Sequence, residues 1–177
     1  MQSKFTQKAQ EAIKHADTSA RKFSQSYIGT EHLLLGLARA NDSISQKVLQ
    51  LQNATADVIE KKIDEILNAG QGDLLTYGGK PQGYTPRTKR ILEKSNREAQ
   101  KMSTNYVGTE HLLLALIKES DSLAVQILAS LGVNMQRVHD DIMVMLSEYT
   151  PHIQLPQHLQ QHQQTGQATK TSTPTLD

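Results

Sequence analysis

Two Glu-His pairs carry most of the reactive potential of this chain: Glu31-His32 and Glu110-His111, each inside the segment Gly-Thr-Glu-His-Leu-Leu-Leu. A carboxylate beside an imidazole suggests acid–base catalysis or zinc. The spacing argues against both. Adjacent residues on a helix diverge by about 100°, so neither pair converges on one atom unaided. There is no His-Glu-x-x-His signature, no Gly-x-Ser-x-Gly elbow and no cysteine, which removes thiolate ligands, Cys nucleophiles and disulfides. Gly79-Lys80-Pro81 superficially resembles a phosphate-binding loop, but it lacks the first Gly and has Pro where a magnesium-binding Ser or Thr belongs. We therefore expect no catalytic residue, no metal site and no cofactor here. His32 and His111 are expected to be half-buried helix residues with hydrogen-bonded rings.

Binding chemistry fits the same residues better. Glu31 and Glu110 fall in the first turn of a helix, where the dipole favours negative charge, by about 0.3–1 kcal/mol each. A surface carboxylate there can also receive a guanidinium through paired hydrogen bonds. Thr6 and Thr85 are placed to start other helices, whose open N–H groups suit an anion, helped by Lys8, Arg87 and Lys89. A ligand with a guanidinium beside a phosphate would suit both halves. Nothing in the spacing places those halves side by side.

The elements that must position these residues come in two copies. Tyr27–Leu35 recurs as Tyr106–Leu114 with one change, Ile28 to Val107, at an offset of 109 − 30 = 79 residues. Thr30 and Thr109 are expected to cap the helix, the preceding Gly allowing an unusual turn. The following Leu33–Ala38 and Leu112–Ile117 are apolar all round, which predicts central helices covered on several sides. The same offset pairs Phe5-Thr6 with Tyr84-Thr85, Ile13 with Leu92 and Ala20 with Ala99. Polar breaks at Asn41-Asp42-Ser43 and Ser120-Asp121-Ser122 lead into a short third helix, and a longer fourth carries Val58, Ile59, Ile63 and Ile66, matched by Val138, Ile142, Met145 and Leu146. The prediction is all-α: two tandem four-helix repeats, eight helices in total.

The boundaries read as a domain over 1–148, with repeat one about 5–69, a Gly-rich connector at 70–83 and repeat two about 84–148. Within the connector, Leu74-Leu75-Thr76-Tyr77 is apolar enough to suggest docking on a repeat. Residues 149–177, rich in Gln, His and Thr, read as a polar linker. A net charge of +1 gives no reason to expect nucleic acid, and no apolar run or leader suggests a membrane or export. The chain is expected to be soluble and cytoplasmic.

These paired motifs resemble the N-terminal domains of the ClpC family of bacterial AAA+ Clp/Hsp100 unfoldases, over residues 2 to about 148. The closing Thr173–Asp177 resembles the segment leading into the first ATPase module. The resemblance implies pseudo-twofold symmetry and a non-catalytic domain whose parent is an ATPase, with ATP and Mg confined to modules beyond it. It implies docking of adaptors such as MecA, receipt of unfolded or arginine-phosphorylated proteins, and delivery to ClpP. Carried over, Glu31 and Glu110 would take phosphoarginine guanidinium groups, with Thr6, Thr85 and Lys89 holding phosphate. Gln10 stands opposite Lys89 in the first repeat, so the two sites are expected to differ in strength. An adaptor-only or hydrophobic-segment docking domain is the alternative.

Overall fold

Thr6 Oγ1 accepts the N–H of Ala9 at 3.1 Å, and Thr85 Oγ1 accepts that of Thr88 at 3.1 Å. These two caps, worth about 1 kcal/mol each, start the first helix of each repeat, α1 (Gln7–Lys22) and α5 (Pro86–Lys101). Pro86 occupies the first turn, where its missing N–H costs nothing. The computed structural model describes residues 4–67 and 80–149. Within them follow α2 (Thr30–Arg39), α3 (Ile44–Leu51), α4 (Ala56–Ile66), α6 (Thr109–Lys118), α7 (Leu123–Ser130) and α8 (Met135–Tyr149). Every helix of repeat two starts 79 residues after its partner, for example 86 − 7 and 123 − 44. The expected four-helix repeat therefore stands in both copies.

α2 and α6 are the central helices. Leu33, Leu34, Leu35 and Leu37 are fully buried, as are Leu112, Leu113, Leu114 and Leu116. Burying each such side chain contributes about 1.5–3 kcal/mol. α2 touches α1, α3 and α4 of its own repeat and α5, α6 and α7 of the other, so the two repeats share one core.

Their starts depart from expectation. The cap position is Gly29, or Gly108, and Thr30 and Thr109 are the first helical residues. The threonine hydroxyls act across the repeats instead. Thr30 Oγ1 accepts from Ala124 N at 3.2 Å in α7, and Thr109 Oγ1 from Ser45 N at 3.3 Å in α3. Each satisfies a helix-start donor of the opposite repeat. Nor do the glycines make an unusual turn: their φ values, −91° and −99°, are open to any residue.

Short parallel pairings join the copies. β1 (Lys4–Phe5) runs along β2 (Tyr106–Val107), matching Phe5 with Val107. The symmetry mate is an isolated bridge between Ile28 and Tyr84. Thr6 N then donates to Val107 O at 2.9 Å, and Thr85 N to Ile28 O at 3.0 Å.

The chain divides into two compact units at Val138/His139, inside α8. In the second unit, Ile142 and Leu146 are buried one turn apart, and His139 Nδ1 lies 3.4 Å from Asp140 Oδ1. The apolar connector stretch at 74–77 and the polar stretch from 150 lie outside the described residues. No helix among those described is long and apolar enough to cross a membrane.

Candidate functional site

The bridge between Ile28 and Tyr84 sets the helix start of α5 beside the start of α2. Glu31 and Thr85, 54 residues apart (85 − 31), thus line one cavity of about 520 Å³ with Arg87 and Arg90, Tyr27 and Leu123. The structure accordingly brings together the two halves that the sequence left apart, and it does so across the repeats. Among the described residues Glu31 has no hydrogen-bond or ion-pair partner, although two arginines line the same cavity. Arg87 Nη1 donates to Asp121 O at 2.6 Å, and Arg90 Nη1 lies 3.5 Å from Glu119 Oε2, an acid shared with Lys94. The two guanidinium groups are held at the cavity by repeat two.

The mirrored arrangement follows from β1 and β2. Thr6 is bonded to Val107, three residues of sequence before Glu110, and so stands beside the start of α6; Glu110 also has no partner among the described residues. Its surroundings differ in charge. The positions matching Arg87 and Arg90 are Lys8 and Glu11, which lie 3.7 Å apart as an ion pair. The first set sums to +1 (Arg87 and Arg90 against Glu31) and the second to −1 (Lys8 against Glu11 and Glu110).

Lys89 does not join the cleft. It is exposed on α5, turned by about 200° from Arg87, and is absent from the cavity lining. Arg90, one turn beyond Arg87 and on its face, takes that place. The signal for it was in the sequence: two arginines spaced i, i+3 behind a Thr-Pro helix start share one face.

The histidines are structural. His32 Nδ1 accepts the N–H of Gly29 at 2.9 Å, and His111 Nδ1 that of Gly108 at 2.9 Å. Each ring reaches back from the third helical residue to the cap, as Glu or Gln does in a capping box. The rings are hydrogen-bonded as expected but more deeply buried, at 1% and 2% exposure. Nε2 of each is enclosed without a partner among the described residues. Burial holds both pKa values below the ordinary 6.5, with nearby Glu31, or Glu110 and Glu98, pulling the other way. With Nδ1 occupied and Nε2 enclosed, neither imidazole offers a nitrogen to a ligand in the cleft.

Comparison with known proteins identifies the family and the fold. The family described as the Clp repeat (R) N-terminal domain matches residues 4–120 and 83–173. The chain is 35% identical over 175 residues to the ATP-dependent Clp protease ATP-binding subunit ClpC of Staphylococcus aureus (strain USA300), covering 98% of this chain and 20% of that protein. It thus spans about a fifth of the length of the curated relatives it matches. Among solved structures, the N-terminal domain of ClpD from Arabidopsis thaliana superposes with a TM-score of 0.66 at 23% identity, covering 81% of this chain and 97% of that one. A ClpV N-domain in complex with a VipB peptide gives 0.62 at 16% identity, covering 82% and 88%. These likenesses establish the fold.

Proposed function

The chain belongs to the family of Clp repeat N-terminal domains, and from that premise we propose that it receives substrates for a ClpC-like ATP-dependent unfoldase. Its role is binding, and the marked substrate is a protein carrying phosphoarginine. The observation that carries this reading is the composite cleft: an unpartnered carboxylate, a threonine-capped helix start and two arginines line one cavity. Glu31 would pair with the guanidinium, while Thr85, the α5 N-terminus, Arg87 and Arg90 would hold the phosphate. Glu110 and Thr6 form the second site. Lys89 would act only as a distant positive charge.

Residues 1–148 would then be the receptor and the polar stretch 149–177 a tether to ATPase modules. Tethering raises the effective concentration of bound substrate near the pore. Adaptors such as MecA would dock on the same domain, ClpP would act through the full-length protein, and the setting would be the cytoplasm. ATP and Mg would belong to the ATPase modules.

Calorimetric titration with a phosphoarginine peptide and its unmodified twin tests the reading. Selective binding that disappears in the Glu31→Ala/Glu110→Ala protein is the expected result. A folded wild-type protein that ignores both peptides would return the glutamates to dipole stabilisation alone.

One observation favours docking of apolar segments or adaptors as well. A second cavity of about 620 Å³ has an apolar side of Phe5, Ile13, Ile28, Pro81 and Tyr84 and a charged rim that includes Lys14, Asp17 and Lys80, and a ClpV N-domain has been solved with a peptide bound. Binding of an unmodified apolar peptide that survives the double glutamate substitution would support it.

A further inference from the structure

Gly29 and Gly108 stand at the cap positions of α2 and α6, and their backbone does not explain them. With φ near −91° and −99° and ψ near 180°, both are extended, a conformation that any residue adopts. Space explains them instead. A Cβ built on Gly29 would lie 2.3 Å from Oε1 of Glu31, and the three atoms nearest to it all belong to the Glu31 carboxyl group. On Gly108 the closest approach is 2.4 Å, again to Oε1, and again all three nearest atoms are the carboxyl of Glu110. Two copies of the motif show the same fold-back. The carboxyl group lies over the glycine Cα, in the volume that a methyl group would occupy.

We infer that Gly29 and Gly108 are positioning residues, kept free of a side chain so that the Glu31 and Glu110 carboxylates can lie at the helix start and face an incoming guanidinium. The inference rests on the phosphoarginine reading for its functional meaning and on geometry for the position itself. A methyl group at either site meets only the end of a flexible side chain, so the fold has no need of the glycine. The glutamate does. Swinging the carboxyl away relieves the contact but takes the acceptor out of the arrangement that pairs with a planar guanidinium, where orientation matters as much as charge. Backbone hydrogen bonding is untouched, because Gly29 N still donates to His32 Nδ1 and Gly29 O still accepts from Leu33 N at 3.1 Å. Loss of the better cap residue and gain from a less flexible unfolded chain oppose each other, so Gly29→Ala is expected to shift Tm by no more than about 3 °C.

The test uses the whole chain with Glu110→Ala present throughout, so that one cleft is read. A peptide with a single phosphoarginine is titrated against four proteins: no further change, Gly29→Ala, Glu31→Ala, and both together. Gly29→Ala is expected to weaken binding about tenfold or more, and to do nothing further once Glu31 is gone. A purely structural glycine would add its loss to that of Glu31→Ala, and that additivity would overturn the inference, as would unchanged binding by Gly29→Ala. A crystal structure of Gly29→Ala reads the position without any ligand. A displaced Glu31 carboxyl group supports the inference even where the starting protein binds no phosphoarginine, an outcome that sinks only the ligand assignment. A carboxyl group left in place overturns it.

Discussion

The two repeats share the start of every helix to the residue, but not the charges beside their helix starts. Where repeat two contributes Arg87 and Arg90 to the cleft of Glu31, the matching positions of repeat one are Lys8 and Glu11, paired with each other. Ion pairs away from the clefts differ as well. Glu60 on α4 holds Arg39 and Lys22 in repeat one, whereas Glu98 on α5 holds Lys118 and Lys101 in repeat two. The cations occupy matching positions while the acid has moved from one helix to another, Ser19 standing where Glu98 does. Packing between first and second helices differs too. Gly36 in α2 lies against Ala12 and Ala16 of α1, whereas the matching position in α6 is Ala115, and the positions matching Ala12 and Ala16 in α5 are Ile91 and Ser95. The difference teaches that burial and hydrogen bonding preserve the frame of a duplicated unit, while charges at its edges can be exchanged so long as each buried ion keeps a partner.

The packing difference gives the largest expected effect. A Cβ on Gly36 would meet Ala12 O at 2.1 Å and Ala16 N at 3.0 Å, both backbone atoms that cannot step aside. Gly36→Ala should cost about 2–3 kcal/mol despite the better helix propensity of alanine, whereas Ala115→Gly should cost only about 1 kcal/mol. Urea unfolding of both variants makes the comparison, and equal losses would break it.

Next in size is the charge difference between the clefts. Arg90→Glu should lower the affinity of the Glu31 cleft for a phosphoarginine peptide about tenfold, and Glu11→Arg should raise that of the Glu110 site by a similar factor. Titrations in proteins carrying Glu110→Ala or Glu31→Ala, respectively, isolate each site. Raising salt should shrink both effects, because Arg90 is largely exposed.

The smallest effect lies in the buried histidines. Burial holds both below 6.5, so the unfolded chain binds more protons than the folded one as pH falls past that value. Their contribution is therefore complete above pH 6.5 and declines below it, as each imidazole is driven toward a protonated state that cannot accept from Gly29 or Gly108. Glu98 adds a favourable charge near His111 that has no equivalent at Ser19. NMR titration should find His32 protonating at a lower pH than His111, and the reverse order would show that the Glu98 charge does not set the difference.

The duplication, the helix starts at Thr6 and Thr85, the central helices and the first-turn glutamates were all legible in the sequence, because each rests on contacts within a few residues: a cap, a dipole, a helical period. The hydroxyls of Thr30 and Thr109 were misread for the same reason. A threonine ahead of an apolar helix is a local cap until a second helix start arrives, and those of α7 and α3 come from the opposite repeat. The i, i+3 spacing of Arg87 and Arg90 puts both on one face, but that helix carries several other cations, and only the tertiary fold shows which face borders the cleft.

Local sequence dictates what each helix is and, to within a residue, where it begins, since periodicity and capping act over one or two turns. The tertiary fold places Thr85 in the cleft of Glu31 and Thr6 beside Val107 at the start of the Glu110 helix, rather than leaving each threonine to its own repeat. Burying α2 and α6 in one core brings their starts alongside segments more than fifty residues away in the chain, and the parallel pairings at Val107 and Ile28 set the register. No local pattern specifies such a partner, because its energy comes from apolar surface buried between the copies and not from either copy alone.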